Sequence, residues 1–328
     1  MRSPCDARCP RSKEAMRGHS VRGVKTRWTA WLCSLAVLCG CGAMPLPAPP
    51  LKTAIIDGAE LHYTDEGVGE TVLLLHGAGS DLRIWDEIRP LLATRYRVVA
   101  YSRRHHHPNA WPDDGRTYHF ARHADDLAAL LGVLGVDRVH IVAVSLGGQV
   151  AARVLVQRPE LVASAIFSDA LLVWPASAES KAVREAFMGR FAPLGAAVRD
   201  GAATDAAKAL VDWVGNEPEG WHTLSVAKRR LYLDNAKTLL LMVHETAPPL
   251  TCGDFGTPSN PVLVLEGTRT SPAFRLTNEQ LLRCLPAGAE HAFVSDAGHF
   301  WYSSHAGAAA ATIVDFLSRH PISGRSLP

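Results

Sequence analysis

The segment Val139–Gly148 contains a serine in a setting where its hydroxyl could act as a nucleophile. An apolar, β-type run ends at Val144, Ser145 follows, and glycines come next. A serine on a sharp turn between a strand and a helix needs tiny residues two places before and after it, because larger side chains would collide with both elements. Ala143 and Gly147 satisfy this requirement. The pattern predicts a nucleophilic serine, and a serine turn after an ordinary buried strand is the alternative.

Two other segments could supply the groups that a nucleophilic serine needs. The apolar run Thr71–Leu75 stops at the glycine-rich segment His76–Ser80. Such a loop can aim backbone N–H groups at the oxygen that becomes negative when a carbonyl is attacked. We expect the N–H groups of Ala78 and Leu146 to be these oxyanion donors, unless the loop is only a glycine turn. His299, which follows the last predicted strand, is the expected general base.

The histidine of such a pair needs a carboxylate to hold it, and the chain offers several. The run Pro261–Glu266 leads into Gly267–Pro272, a loop without any carboxylate. Asp169 follows the preceding run and comes before the histidine in the chain. Either strand end can flank the histidine loop, so an acid at either place can fix the imidazole tautomer. We predict Asp169 as the acid; of its rivals, we expect Asp296 to shape the histidine loop and Glu266 to point away.

These residues would be positioned by strands that alternate with helices. Continuous apolar strands of this kind, separated by helices, are typical of a mostly parallel sheet covered on both faces, which predicts an α/β fold. Helical spacing of apolar residues predicts helices at Ala121–Leu134, Gly147–Gln157 and Ala306–Ser318. The predicted strands are Thr53–Ile56, Glu60–Thr64, Thr71–Leu75, Tyr96–Tyr101, Val139–Val144, Ala163–Phe167, Pro261–Glu266 and Ala292–Val294.

The alternation stops in residues 174–257, where the sequence is helical in character. The helical runs there are Ser180–Phe191, Ala206–Val214 and Val226–His244. Helices inserted at one edge of a sheet form a cap that shapes access to a pocket. We therefore expect a core of residues 52–173 and 258–328 with a helical cap of residues 174–257.

The N-terminal segment has the features of an export signal. A basic stretch precedes the short apolar run Trp28–Leu38, which is too short to span a bilayer comfortably. The run ends in Leu38-Cys39-Gly40-Cys41, which resembles the bacterial lipobox. The resemblance implies that residues 1–41 are a lipoprotein-type signal, lipidated at Cys41, and that residues 42–51 are a Pro-rich tether. An ordinary signal peptide, an uncleaved anchor and translation from Met16 are the alternatives.

The lipobox resemblance also implies a location. Gly42, rather than an aspartate, follows Cys41. The expected protein is exported and lipid-anchored at the cell envelope, with the outer membrane favoured and the domain facing the periplasm. Cys252 and Cys284 would be the cysteines of the mature body, and in an oxidising compartment they predict a disulfide. Two unrelated buried thiols are the alternative.

Charge and histidine content exclude two further classes of partner. The chain has a net charge of +2, but residues 1–41 hold eight basic and two acidic residues, which leaves 26 basic against 30 acidic in the body. A mildly acidic body gives no reason to expect nucleic acid. Successive side chains diverge, so His105-His106-His107 is a poor metal site, and a polar loop at the rim of the active site is expected instead.

The chain resembles the α/β-hydrolase superfamily over about residues 53–320. The residues that carry the resemblance are LLLHGAGS, VVAYSRRHHHPN, VHIVAVSLGGQVA, PVLVLEG and DAGHF, and the loop after the fourth main strand is similar to a subfamily that reads Tyr-Ser-Arg-Arg there. The resemblance implies hydrolysis of an ester, amide or related acyl compound without a cofactor. Most relatives place the acid after the next-to-last strand, whereas some haloalkane dehalogenases and lipases use the position of Asp169.

The expected function is therefore that of a serine hydrolase that acts on a small acyl substrate. A ligand-binding or signalling protein that kept the fold is the alternative from another class, because a fold alone does not determine function. A cofactor-free perhydrolase or carbon–carbon hydrolase would use the same residues. A serine nucleophile disfavours haloalkane dehalogenation, which uses a carboxylate there.

Overall fold

A computed structural model describes residues 49–216, 219–256 and 259–322. An eight-stranded sheet lies at its centre, and strands β3, β5, β6 and β7 are buried along their whole length. Their sequences are continuous apolar runs because both of their faces are covered. The strands are β1 (Lys52–Ile56), β2 (Ala59–Glu66), β3 (Thr71–Leu75), β4 (Arg97–Tyr101), β5 (Val139–Val144), β6 (Val162–Ser168), β7 (Val262–Gly267) and β8 (Glu290–Val294).

The strand order brings the predicted site residues to one edge of the sheet. The order is β1-β2-β4-β3-β5-β6-β7-β8, with β2 antiparallel to β1 and β4 and the remaining pairs parallel. The carboxyl ends of β3, β5, β6 and β7 therefore lie side by side. This confirms the predicted α/β class with a mostly parallel sheet, and the eight predicted strands lie within two residues of the observed bounds.

Helices cover the two faces of the sheet, and apolar side chains from both layers form the core. Four short 3₁₀ segments, Leu82–Trp85, Pro159–Leu161, Leu241–His244 and Cys252–Gly256, connect elements. The α-helices are α1 (Arg89–Leu92), α2 (Phe120–Val133), α3 (Leu146–Gln157), α4 (Ala178–Arg190), α5 (Ala192–Arg199), α6 (Ala203–Val214), α7 (Gly220–Thr223), α8 (Val226–Asp234), α9 (Ala236–Leu240), α10 (Pro272–Cys284), α11 (Trp301–Ser304) and α12 (Ala306–Arg319).

The described residues between β6 and β7 form helices α4 to α9, in the region where a cap was expected. The predicted run Val226–His244 is broken at Asn235, whose buried side chain accepts from the His107 N–H at 2.8 Å and donates to Asp81 Oδ2 at 2.6 Å. These bonds tie the cap to the core. At the start of the insertion, Gln149 donates to the carbonyls of Ala170 and Leu171 at 3.1 and 3.0 Å.

Cys252 and Cys284 form a disulfide with their Cα atoms 4.7 Å apart, the pairing predicted from the sequence. Helix α10 runs back toward the start of β7, which brings its last residue close to the segment before that strand. The predicted signal, Cys41 and most of the tether lie outside the described residues. Within the described ranges, no helix is both long and apolar enough to cross a bilayer.

Candidate active site

Ser145 occupies a strained turn between β5 and α3. Its backbone has φ 55° and ψ −130°, a region that side chains other than glycine rarely adopt. Its N–H donates to Ser168 O at 2.8 Å, which fixes the turn to the end of β6. A Cβ on Gly147 would lie 2.5 Å from Leu75 O, so the small residue predicted at this position is required by the packing. The turn raises the Ser145 hydroxyl above the carboxyl edge of the sheet.

Asp169 directly follows β6 and contacts the predicted base. Its Oδ2 lies 2.9 Å from His299 Nδ1, and its side chain is fully buried. Thr270 Oγ1 donates to Asp169 Oδ2 at 2.8 Å, and Asn278 Nδ2 donates to Oδ1 at 3.1 Å. The loop that lacks a carboxylate thus contributes a hydroxyl donor instead. An acceptor at Nδ1 leaves Nε2 of His299 free to act as a base.

Aromatic contacts hold the loop that carries His299. The imidazole stacks on Phe274 of α10, with ring centroids 4.7 Å apart and an interplanar angle of 12°. Two residues later, Trp301 Nε1 donates to Ser168 Oγ at 2.8 Å. Ser168 thereby bonds the nucleophile turn through its carbonyl and the histidine loop through its hydroxyl. One strand end sets the position of both.

Asp296 and Glu266 were the rivals of Asp169 for the role of the acid. Asp296 is exposed, with φ 58°, and its N–H donates to Thr268 Oγ1 at 2.8 Å. Glu266 is buried, and its carboxylate accepts from Arg275 Nε and Asn278 Nδ2. Burial opposes its ionisation, but hydrogen bonds led by those from His291 and Asn278 lower its pKa below the ordinary value. Neither residue forms a hydrogen bond or an ion pair with His299 in the described part of the chain, where Asp169 is its carboxylate partner.

The glycine-rich loop after β3 passes close to Ser145. A Cβ on Gly77 would lie 3.1 Å from Ser145 Cβ, so the loop can approach the serine only because this residue has no side chain. Ala78 and Ser145 line the same small cavity of about 20 Å³, together with His299. Leu146 begins α3 directly after the serine. The predicted oxyanion donors therefore belong to the two segments that flank Ser145.

Two larger cavities adjoin the small one. A cavity of about 310 Å³ shares Ala78 and Ser145 with it and reaches Leu146 and Phe274. A cavity of about 690 Å³ lies on the other side and shares Tyr232, Phe300 and Tyr302 with it. The smaller of these two is lined mainly by apolar side chains, whereas the larger one also presents charged side chains, among them Arg83, Glu87 and Lys228. No hydrogen bond joins Ser145 to His299 among the described residues, and such bonds often tighten only when substrate binds.

The expectation of a polar rim at His105-His106-His107 is wrong for two of the three residues. His105 and His106 are buried, and only His107 is exposed. His106 donates from Nδ1 to Ser80 O at 2.6 Å, and its Nε2 lies 3.1 Å from the Tyr118 hydroxyl. His105 Nε2 contacts Asp113 Oδ1 at 2.8 Å. These histidines support the loop behind the site rather than its entrance.

Several residues of the site were not identified from the sequence. Thr270 and Asn278 hold the acid from positions 101 and 109 residues away, and no local motif marks such contacts. The sequence also did not identify Phe274 and Trp301, which hold the loop of His299. One indication was present in the sequence: the loop after β7 has no carboxylate, so a different polar residue of that loop could be expected near His299.

Comparison with known proteins places this geometry in a family. The chain is 33% identical to an uncharacterized protein of Mycobacterium tuberculosis over 149 residues, 45% of this chain and 41% of that protein. It is 34% identical to a fluoroacetate dehalogenase of a Burkholderia species over 106 residues, 31% of this chain and 35% of that protein. The matches thus span less than half the length of these curated relatives.

A solved structure matches over most of the chain. The enol-lactonase from Burkholderia xenovorans LB400 superposes with a TM-score of 0.66 at 20% identity, and covers 81% of this chain and 100% of that one. At this identity the likeness shows the fold. The model of the alpha/beta hydrolase family matches residues 72–312, a range that runs from β3 into α12 and contains Ser145, Asp169 and His299. On that match, the chain belongs to the α/β-hydrolase family.

Proposed function

We propose that the protein is a serine hydrolase that cleaves an ester or a related acyl compound with Ser145, His299 and Asp169. The observation that carries the proposal is the 2.9 Å contact between Asp169 and His299, beside a serine held on a strained strand-to-helix turn. Asp169 orients the imidazole and stabilises it when it becomes charged. The backbone N–H groups of Ala78 and Leu146 are the proposed oxyanion donors.

The proposed reaction has two balanced steps. Ser145 Oγ attacks the acyl carbon while His299 Nε2 takes the hydroxyl proton, and the carbonyl oxygen becomes an oxyanion. The intermediate collapses, the bond to the leaving group breaks, and His299 gives its proton to the leaving oxygen. Water then attacks the acyl-enzyme with His299 again as base. The products are a carboxylic acid, an alcohol and the free serine.

The cavities suggest how a substrate would divide across the site. The leaving group must lie toward His299, because the imidazole protonates it. The cavity of about 690 Å³ begins at Phe300 and Tyr302, just after His299, and suits the leaving group. The cavity of about 310 Å³ beside Leu146 suits the acyl part. We infer a substrate with a compact apolar acyl group and a larger leaving group, which would lie near charged side chains such as Arg83 and Lys228.

Activity-based labelling tests the proposed chemistry. A fluorophosphonate should label the wild-type protein, and Ser145→Ala should abolish labelling and lower ester hydrolysis by about 10³-fold or more at unchanged folding. A series of aryl esters with lengthening acyl chains should then show a sharp fall once the chain exceeds the smaller cavity. Undiminished hydrolysis in Ser145→Ala would refute the proposal.

We also propose export and lipid anchoring at Cys41, on the lipobox resemblance. The Cys252–Cys284 disulfide supports an oxidising compartment, since such bonds are rare in the cytosol. Intact-mass analysis of the membrane fraction should find a lipidated chain that begins at Cys41, and Cys41→Ser should release the protein from that fraction. An unlipidated mature terminus in the wild type would contradict the proposal.

A further inference from the structure

The carbonyl of Gly77 receives three hydrogen bonds. Arg103 Nη2 donates to it at 2.8 Å, His76 Nδ1 at 2.9 Å and Ser80 Oγ at 3.2 Å. This carbonyl and the N–H of Ala78 belong to the same peptide group. The group that we propose as an oxyanion donor therefore has its opposite end fully engaged. Because the peptide group is planar, the donors that hold Gly77 O also set the direction of the Ala78 N–H.

Arg103 is the charged donor of the three, and it is buried without a carboxylate partner among the described residues. Its side chain is 1% exposed. Its Nε and Nη1 atoms have no hydrogen-bond partner there. The neighbouring Arg104 is equally buried, but Asp126 pairs with it at 2.7 and 2.8 Å. The charge of Arg103 is thus directed at a peptide carbonyl rather than neutralised by an acid.

The same arginine also sets the protonation of His76. The backbone N–H of Arg103 donates to His76 Nε2 at 3.0 Å, so the ring proton must lie on Nδ1, from which it is donated to Gly77 O. Burial, and next the charge of Arg103, hold the pKa of His76 well below its ordinary value. The imidazole therefore stays neutral and keeps this tautomer. Arg103 therefore acts on Gly77 O directly, through its side chain, and indirectly, through the bond of its backbone N–H to His76.

We propose that Arg103 is a positioning residue that orients and polarises the Gly77–Ala78 peptide, so that the Ala78 N–H binds the oxyanion more strongly. This inference rests on the proposed function. A charge-assisted bond to a peptide oxygen draws electron density toward that oxygen and makes the N–H of the same group a better donor. The effect is larger in a buried site, where water does not screen the charge. Arg103 acts through the peptide and touches no substrate.

Paired oxygen esters and thionoesters test the oxyanion contribution directly. The two substrates differ only in the atom that becomes negative, and sulfur is a weak hydrogen-bond acceptor. Arg103→Met should lower kcat for the oxygen ester by about 10- to 100-fold with little change in KM, which is less than the roughly 10²- to 10³-fold loss seen when an oxyanion donor itself is removed, because Arg103 acts through the peptide. The thionoester rate should fall much less, so the ratio of the two rates should fall about tenfold. Arg103→Lys should recover part of the ratio.

Two further variants separate positioning from folding. Arg104→Met removes a buried arginine that bonds Asp126 and Ile56 O but nothing in the loop of residues 76–80. It should lower stability and leave the ester-to-thionoester ratio unchanged. Ser80→Ala removes the uncharged donor to Gly77 O and should lower the ratio about two- to threefold, in line with a weaker neutral bond. Fluorophosphonate titration corrects every rate for the folded fraction.

The outcomes distinguish this inference from the proposed function. A wild-type protein that neither labels nor hydrolyses esters refutes the proposed function. Normal labelling with an ester-to-thionoester ratio that Arg103→Met leaves unchanged refutes only the role of Arg103. If the Arg103 variants do not fold, an unchanged ratio in Ser80→Ala overturns the inference. The rate of phosphonylation of Ser145, which also builds charge on an oxygen, should follow the same order of variants.

Discussion

Two regions flank Ser145, and each contains a buried charged side chain. The acid side comprises Asp169 and the residues that bond it, and the oxyanion side comprises the loop of residues 76–80 and Arg103. The two charged side chains differ in how completely their hydrogen-bonding groups are paired. Asp169, on the acid side, accepts hydrogen bonds from Thr270 and Asn278 and contacts His299. Arg103, on the oxyanion side, donates from its side chain to Gly77 O, and its Nε and Nη1 have no hydrogen-bond partner among the described residues. Both carboxylate oxygens thus have hydrogen-bond partners, whereas two of the three guanidinium nitrogens have none among the described residues.

This difference separates two requirements of the proposed catalysis. The acid must keep one direction through both steps, and a carboxylate surrounded by donors is rigid. The oxyanion loop must present a strong dipole, and an unpaired cation behind it strengthens that dipole. Leaving N–H groups of a buried cation without acceptors costs folding free energy. No such unpaired group lies on the acid side among the described residues. We therefore expect variants of the acid side to change turnover, and variants of the oxyanion side to change both turnover and stability.

Among the variants on the two sides of Ser145, the largest effect is expected when the acid loses its charge. Asp169→Asn should lower kcat by about 10⁴-fold, because an amide can donate to Nδ1 and favours the wrong tautomer of His299. Asp296→Asn is the matched control, since Asp296 is exposed on the same loop as His299, and its kcat should stay within about twofold of wild type. Steady-state ester hydrolysis measures both. A greater loss in Asp296→Asn would show that Asp169 is not the acid.

A smaller effect is expected when one donor to Asp169 is removed. Thr270→Val keeps the shape and deletes the bond to Oδ2, and kcat should fall about tenfold, as for one hydrogen bond to a charged group. Thr277→Val is its control, because this buried hydroxyl bonds only the carbonyls of Ala273 and Phe274 within α10. Equal losses in the two variants would mean that the Thr270 hydroxyl does not position the acid.

Part of this site could be predicted from the sequence. The turn at Ser145 could be predicted from the small residues that flank it. The position of Asp169 could be predicted because the loop after β7 has no carboxylate and the preceding strand ends beside it. The contacts of Thr270 and Asn278 could not be predicted, because they join residues about a hundred positions apart and depend on how α10 packs. Arg103 was also missed, since a polar stretch of arginines and histidines indicates an exposed loop, and only the surrounding fold buries it.

The buried histidines on the oxyanion side should make the free energy of unfolding depend on pH. Burial, and next the charge of Arg103, lower the pKa of His76, His106 and His123 well below the ordinary value. Below about pH 6.5 the unfolded chain binds protons that the folded chain does not, so the free energy of unfolding should fall as the pH decreases. The limiting slope is about 1.4 kcal/mol per pH unit for each histidine.

Urea unfolding between pH 7 and pH 5 measures this slope. His123→Phe should reduce the slope by about 1.4 kcal/mol per pH unit, which corresponds to one proton, because a phenyl ring of similar size cannot titrate. Both ring nitrogens of His123 lack hydrogen-bond partners among the described residues, so the substitution removes no bond there. An unchanged slope in this variant would contradict the assignment of His123 as a neutral buried residue.

The smallest effect on turnover is expected at the disulfide. Replacing Cys252 and Cys284 with serine should lower the free energy of unfolding by about 3 kcal/mol, as expected for a loop of moderate length. Since Cys284 ends α10 beyond Asn278 and Phe274, kcat should change by less than about twofold. Denaturant unfolding and ester hydrolysis together test this. A large loss of kcat would mean that the bond also fixes the acid side.

The position of Asp169 has a consequence for recombining this protein with others. Asp169 directly follows β6, a few residues before the expected cap, and Gln149 donates to the carbonyls of the next two residues, Ala170 and Leu171. A foreign cap grafted directly at the end of β6 would therefore replace the proposed acid along with the cap. A chimera that begins after Leu171 keeps the acid and its brace, and ends before β7 to keep Thr270. The usable crossover points are thus set by the triad and not by the visible domain edge.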